Sequence, residues 1–148
     1  MLKSTINQIW ENLEKLSIAS LESIAIEHLQ YSNYKIFGYW DDSDNFYEEV
    51  ILNQPILVKL SGYSIGKDLQ DNSSEYWIKL KFLLKGDLST SVDKSLSPDN
   101  VIGEMTLILD ANFKFIDENW SINIHSPFIT SKLAKEETSI GEGNLAFG

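Results

Sequence analysis

The hydrophobic positions of the chain fall into two zones with different periods. Between residues 1 and 30, Leu2, Ile6, Ile9, Leu13 and Leu16 recur at steps of three and four, which makes one helical stripe. Thr5 and Gln8 have the spacing of a capping box, with Ser4 as a rival N-cap. Ser17 and Ser20 then interrupt, and Leu21, Ile24, Ala25 and Leu29 resume helical spacing. The pattern predicts two short helices, the second capped by serine, in preference to one bent helix. Their polar faces carry Glu11, Glu14 and Glu22 with few lysines, so the apolar stripes are expected to pack on the protein's own sheet.

From Tyr31 onward the period becomes two. Only Trp10 of the seventeen aromatic residues precedes this point, and aromatic enrichment marks strands. Residues 34–40 read as a strand. Residues 41–49 hold five carboxylates in nine positions and are expected to form a loop or ragged edge. In the run 50–65, Pro55 moves the strand start to Ile56. Residues 66–74 are loop-like in composition. Residues 75–85 alternate most regularly, with Tyr76, Ile78, Leu80, Phe82 and Leu84 on one face and Trp77, Lys79, Lys81, Leu83 and Lys85 on the other. A long polar connection follows over 86–100.

Segments 101–110 and 113–124 then flank Asp110-Ala111-Asn112, a hairpin turn in which Asn112 suits left-handed backbone. In the second arm Phe113 and Phe115 are odd-numbered, whereas Trp120, Ile122 and Ile124 are even. That slip predicts a β-bulge near Asp117–Asn119. Pro127 ends the arm, and residues 131–148 read as a charged, glycine-containing tail after a single domain of residues 1–130.

Helices followed by consecutive strands predict an α+β domain: an N-terminal helix pair packed on a curved antiparallel sheet of four to six strands. The half-open cones of cystatin-like and nuclear-transport-factor-2-like domains are analogous in architecture. The analogy rests on element order, and no motif in the chain carries it to a family.

Charge narrows the function classes. The chain has twelve lysines, no arginine and a net charge of −10. Arginine is the usual tool for forked phosphate and carboxylate binding and for stacking on bases. Its absence and the acidic balance argue against nucleic-acid and nucleotide roles. There is no cysteine, which removes disulfides and thiolate chemistry and fits a cytoplasmic setting. The first residues lack the apolar run of a secretory signal, and no window approaches a membrane span.

Chemical motifs are few. His28 and His125 lie far apart and neither sits in a His-Glu-x-x-His pattern, so no metal is expected. Asp41-Asp42-Ser43-Asp44-Asn45 fails the EF-hand pattern, because Phe46 and Tyr47 fall where an oxygen ligand and glycine are needed. Gly62 and Gly66-Lys67 are one residue too close for a P-loop, and Asp68 replaces its Ser or Thr. Ser64, between Gly62 and Gly66, lacks the strand-to-helix setting of a nucleophile elbow. No cofactor is expected.

Two readings remain. In the first, Tyr39, Trp40, Phe46 and Tyr47 surround Asp41, Asp42, Asp44, Glu48 and Glu49, and this aromatic and acidic surface binds a basic protein partner. Trp77 among Lys79, Lys81 and Lys85 is a second anchor, and a homodimer through the sheet face is a further interaction of this kind. In the alternative, the cone holds a pocket for an apolar small molecule or a substrate. An inward polar residue, Asp117, Glu104 or His125, then does acid–base work.

Overall fold

The computed structural model describes residues 5–67, 69, 75–87 and 100–134. Helix α1 spans Ile6–Lys15 and α2 spans Ile18–Tyr31. The strands are β1 Lys35–Trp40, β2 Phe46–Leu52, β3 Ile56–Lys67, β4 Tyr76–Gly86, β5 Val101–Asp110, β6 Phe115–Ile122 and β7 Ile129–Leu133. The protein is α+β, with two helices on antiparallel sheets. No helix among the described residues is long and apolar enough to cross a membrane.

Local chemistry places the helices. Thr5 caps α1 in a reciprocal box: Gln8 N donates to Thr5 Oγ1 at 3.2 Å and Thr5 N donates to Gln8 Oε1 at 2.9 Å. Ser17 caps α2 by accepting from Ser20 N at 3.0 Å. Each cap contributes about 1 kcal/mol. Ile9 and Leu13 of α1 and Leu21, Ala25 and Leu29 of α2 are buried, as the two stripes predict. Glu22, read from sequence as a solvated polar-face residue, instead accepts from Leu60 N at 2.8 Å beside a bulge in β3.

The strands divide into two sheets, ordered β1-β2-β7 and β3-β4-β5-β6. This differs from the single sheet of four to six strands read from the pattern. The break falls at Asn53-Gln54-Pro55, where the chain leaves β2 for the other sheet. Residues 46–49, expected in a polar loop, belong to β2, because Glu48 and Glu49 are partnered across the sheet. Lys132 lies 3.5 Å from Glu48 and Lys35 lies 3.7 Å from Glu49. Residues 131–133, expected in the tail, are part of β7 and pair with β2. The loop expected over 66–74 starts after Lys67, and most of it, with most of 86–100, lies outside the described residues.

Both sheets contribute to one core. Ile78, Leu80, Phe82 and Leu84 of β4 are fully buried beside Met105, Leu107 and Leu109 of β5 and Val50 and Leu52 of β2. Each such side chain contributes about 1.5–3 kcal/mol by leaving water. Two bulges set the phase of the β5–β6 hairpin. Ile102 has no counterpart between Leu84↔Gly103 and Lys85↔Val101, and Ile116 has none between Ile108↔Asp117 and Leu109↔Phe115. The expected bulge therefore exists, one residue before Asp117–Asn119. It turns Glu118, Trp120 and Ile122 toward the core face and Asp117 and Asn119 away from it.

Candidate functional site

Two hairpin turns in the chain are built alike. In β1–β2, Asp41 Oδ1 accepts from Ser43 N and Asn45 N, both at 2.9 Å, and Asp44 takes a left-handed φ of 63°. In β5–β6, Asp110 Oδ1 accepts from Asn112 N at 2.8 Å and Lys114 N at 2.9 Å, and Phe113 takes φ 65°. Left-handed backbone thus falls on Phe113 and not on Asn112 as expected. The acceptor geometry of the aspartate sets the turn, and the third residue after it must invert.

These turns bear on the acidic surface. Asp41 Oδ2 also accepts from Asn45 Nδ2 and Tyr47 Oη, each at 3.1 Å. The donors to Asp41, led by the Asn45 backbone N–H, hold its carboxyl below its ordinary value against the opposing effect of burial. Burial, with the bond to Asp41 second, pushes the Tyr47 phenol up. Asp41, Glu48 and Glu49 are engaged within the fold, while Asp42 and Asp44 stand exposed. Tyr47 is buried. The aromatic part of the surface is Trp40, 62% exposed and 4.9 Å from the Phe46 ring, with Phe37 at 69% on the same strand.

Tyr39 organises what surrounds it. Its hydroxyl accepts from Ile122 N at 2.9 Å and faces Ile122 O at 3.4 Å. β1 is an edge of the three-stranded sheet and β6 an edge of the four-stranded one, so this side chain bridges a seam between two sheet edges. Tyr39 lines a groove on either side of itself. One, of about 540 Å³, is walled by Asp41, Asp42, Glu104, Ser121 and His125. The other, of about 530 Å³, is walled by Phe37, Trp40, Glu118 and Trp120.

Glu104 and His125 are thus brought to one groove, together with two residues of the acidic turn. Among the described residues no hydrogen bond or ion pair joins Glu104 to His125, whose amide donates to Asn123 Oδ1 at 3.1 Å. Glu104, expected to point inward, shares the outer face of β5 with Thr106 and Ile108, opposite the face that Met105 and Leu107 bury. Asp117 is not inward. It is exposed on the outer face opposite Ile108, and its Oδ1 accepts from Glu118 N at 2.8 Å. Trp77 is half-buried, its ring lying over Gly66 with Lys79 Nζ 4.9 Å from its centroid. It covers the β3–β4 outer face and does not project from it.

The polar group that does face inward is Glu118. His28 Nε2 of α2 donates to Glu118 Oε1 at 2.8 Å, and Trp120 Nε1 donates to Oε2. The Phe115 ring lies 4.9 Å from the His28 imidazole. The side chains of His28 and Glu118 are 19% and 33% exposed. Glu118 also walls a third groove, described below, between α2 and the β5–β6 hairpin. Sequence reading passed over this pair because its members are 90 positions apart and the bulge at Ile116 decides which acid turns inward.

Among the described residues no group of three or more His, Asp or Glu side chains is arranged to hold a metal ion. No family model matches the chain, and comparisons with curated proteins and with solved structures return no match.

Proposed function

We propose that the protein is a binding module whose contact surface is the corner formed by β1 and the β1–β2 turn, and whose partner is a basic protein. The observation that supports this reading is Trp40: an indole mostly open to solvent at the end of an edge strand, backed by Phe46 and followed by the exposed Asp42 and Asp44. Trp is a frequent interface anchor, and a backing ring fixes its orientation before contact. The net charge of −10 favours encounter with a positive surface. We place that encounter in the cytoplasm, where a chain without disulfides loses nothing to reduction.

The test is site-specific crosslinking. A photoreactive aromatic residue at position 40 should capture a discrete basic partner from the native host. Capture should weaken in raised salt and disappear when Asp42 and Asp44 are changed to Asn. The same residue at Ile18, exposed on α2, should capture nothing discrete. Equal capture from both positions, or capture indifferent to the two Asn substitutions, rules the surface out.

A further inference from the structure

The groove between α2 and the β5–β6 hairpin has a volume of about 650 Å³ and is walled mainly by Ile24, Leu107, Leu109, Phe113 and Phe115. That volume lies within the usual range of small-molecule sites, and an apolar wall with few polar groups is their usual make-up. The polar groups here are specific. His28 and Glu118 line it as a bonded pair, with Glu27, Tyr31 and Ser32 beside them, and among the described residues no lysine lines it.

Glu118 has its rotamer fixed from two sides, by His28 on Oε1 and by Trp120 on Oε2. An ionised carboxylate has about four acceptor positions, so two contacts leave it able to accept from a ligand. Its orientation is already set, which lowers the ordering cost of binding. Phe113, whose left-handed backbone belongs to the Asp110 turn, places its side chain in the groove wall and packs it on the core.

The geometry points to a binding site for a hydrophobic molecule bearing one protonated amine, its body on the apolar wall and its ammonium on Glu118. An anionic head meets two carboxylates, Glu27 and Glu118, and a neutral head forgoes the charge-assisted bond. Glu118 and Trp120 also wall the neighbouring groove that Trp40 lines, but the apolar wall lies on the α2 side, so the amine site is tested without reference to the protein partner.

Three probes with one ring system and different heads test it: 1-naphthylmethylamine, 1-naphthylmethanol and 1-naphthylacetate, each titrated into the full chain by calorimetry. The amine should bind saturably and about tenfold or more tighter than the alcohol, with the acetate weakest. Glu118→Gln should bring the amine down to the alcohol's affinity and leave the alcohol unchanged. A double variant, Asp42→Asn with Asp44→Asn, removes more charge at a distance and should leave all three unchanged. In the unmodified protein, the amine should shift the Trp120 indole N–H resonance while those of Trp10 and Trp77 stay in place. That measurement stands even where Glu118→Gln fails to fold. Equal affinity for the three probes, no saturable binding of the amine, a loss shared by the Asp42/Asp44 variant, or an unmoved Trp120 resonance each overturns the assignment.

Discussion

The hydroxyl of Tyr39 accepts the amide proton of Ile122 at 2.9 Å, and by that bond the free edge of one sheet is fastened to the free edge of the other. The Ile122 side chain is buried, so its amide is poorly placed to find water instead. Tyr39→Phe should keep the ring and lose the bond. The expected cost is about 1–3 kcal/mol, that of a buried donor left unpaired. Urea unfolding measures it, and hydrogen exchange at Ile122 should accelerate while Leu107 keeps its protection. An unchanged Ile122 exchange rate would show that the seam closes without the phenol.

Gly103 faces the same position from the other side. It has a φ of 154°, and a Cβ there would lie 2.3 Å from Ser121 O and 2.9 Å from Ile122 Cα. Both are backbone atoms of β6 and cannot yield without moving the strand. Gly66 is the contrasting case, since the atoms nearest a Cβ there belong to the Trp77 ring, at 1.9 Å, and a side chain can turn away. Gly103→Ala should therefore cost at least about 2 kcal/mol, more than the about 1–2 kcal/mol expected for Gly66→Ala. Chemical denaturation of the two variants checks the order. Gly66→Ala should in addition make Trp77 more accessible to acrylamide quenching, because the ring has to swing outward.

The Asp41 turn should be acid-sensitive in a definite direction. The folded carboxyl titrates below the ordinary value of 3.8, chiefly because of the Asn45 amide. As pH falls the unfolded chain takes up its proton first. The turn's contribution is thus complete above the unfolded value and is lost as pH drops through the folded one. Carbon-detected titration of Asp41 should give a midpoint under 3.8, with faster exchange of the Ser43 and Asn45 amides only below it. A midpoint at or above 3.8 would mean that those hydrogen bonds are not made in solution.

Trp40 should matter little to folding. It is largely exposed and its main ring contact is Phe46. Trp40→Ala is expected to change stability by no more than about 0.5 kcal/mol in thermal or urea unfolding. A loss of several times that amount would make the indole a structural residue and remove the support it gives to a binding surface.

Features set by near neighbours were legible in the sequence. Thr5 with Gln8 and Ser17 with Ser20 act over three positions, and both caps are present. The alternation of β4 needs no partner to be read, and its even positions are buried from Ile78 to Gly86. What depends on distant pairing was not legible. The chain leaves one sheet after β2 and returns to it only at β7, and nothing near Ile129 announces β2 as its partner. The candidate acids show the same limit. Asp117 and Glu118 are adjacent carboxylates that face opposite ways, and the choice between them turns on an unpaired residue earlier in the strand.

That unpaired residue, Ile116, gives the groove an unusual kind of control. It is more than half exposed and is not among the residues that wall the groove, yet it sets the count that presents a carboxylate there. Closing the bulge with the sequence unchanged would put Ile116 opposite Ile108, Asp117 opposite Leu107 and Asn119 opposite Met105, whereas deleting Ile116 would close it with Glu118 and Trp120 still in place. In the first case the site would lose the acceptor for His28 and the indole that braces it, although both side chains would still be encoded. The chemistry of this face is therefore held in backbone arithmetic as much as in residue identity, and a one-residue slip of register in this hairpin would switch it wholesale where a substitution would only tune it.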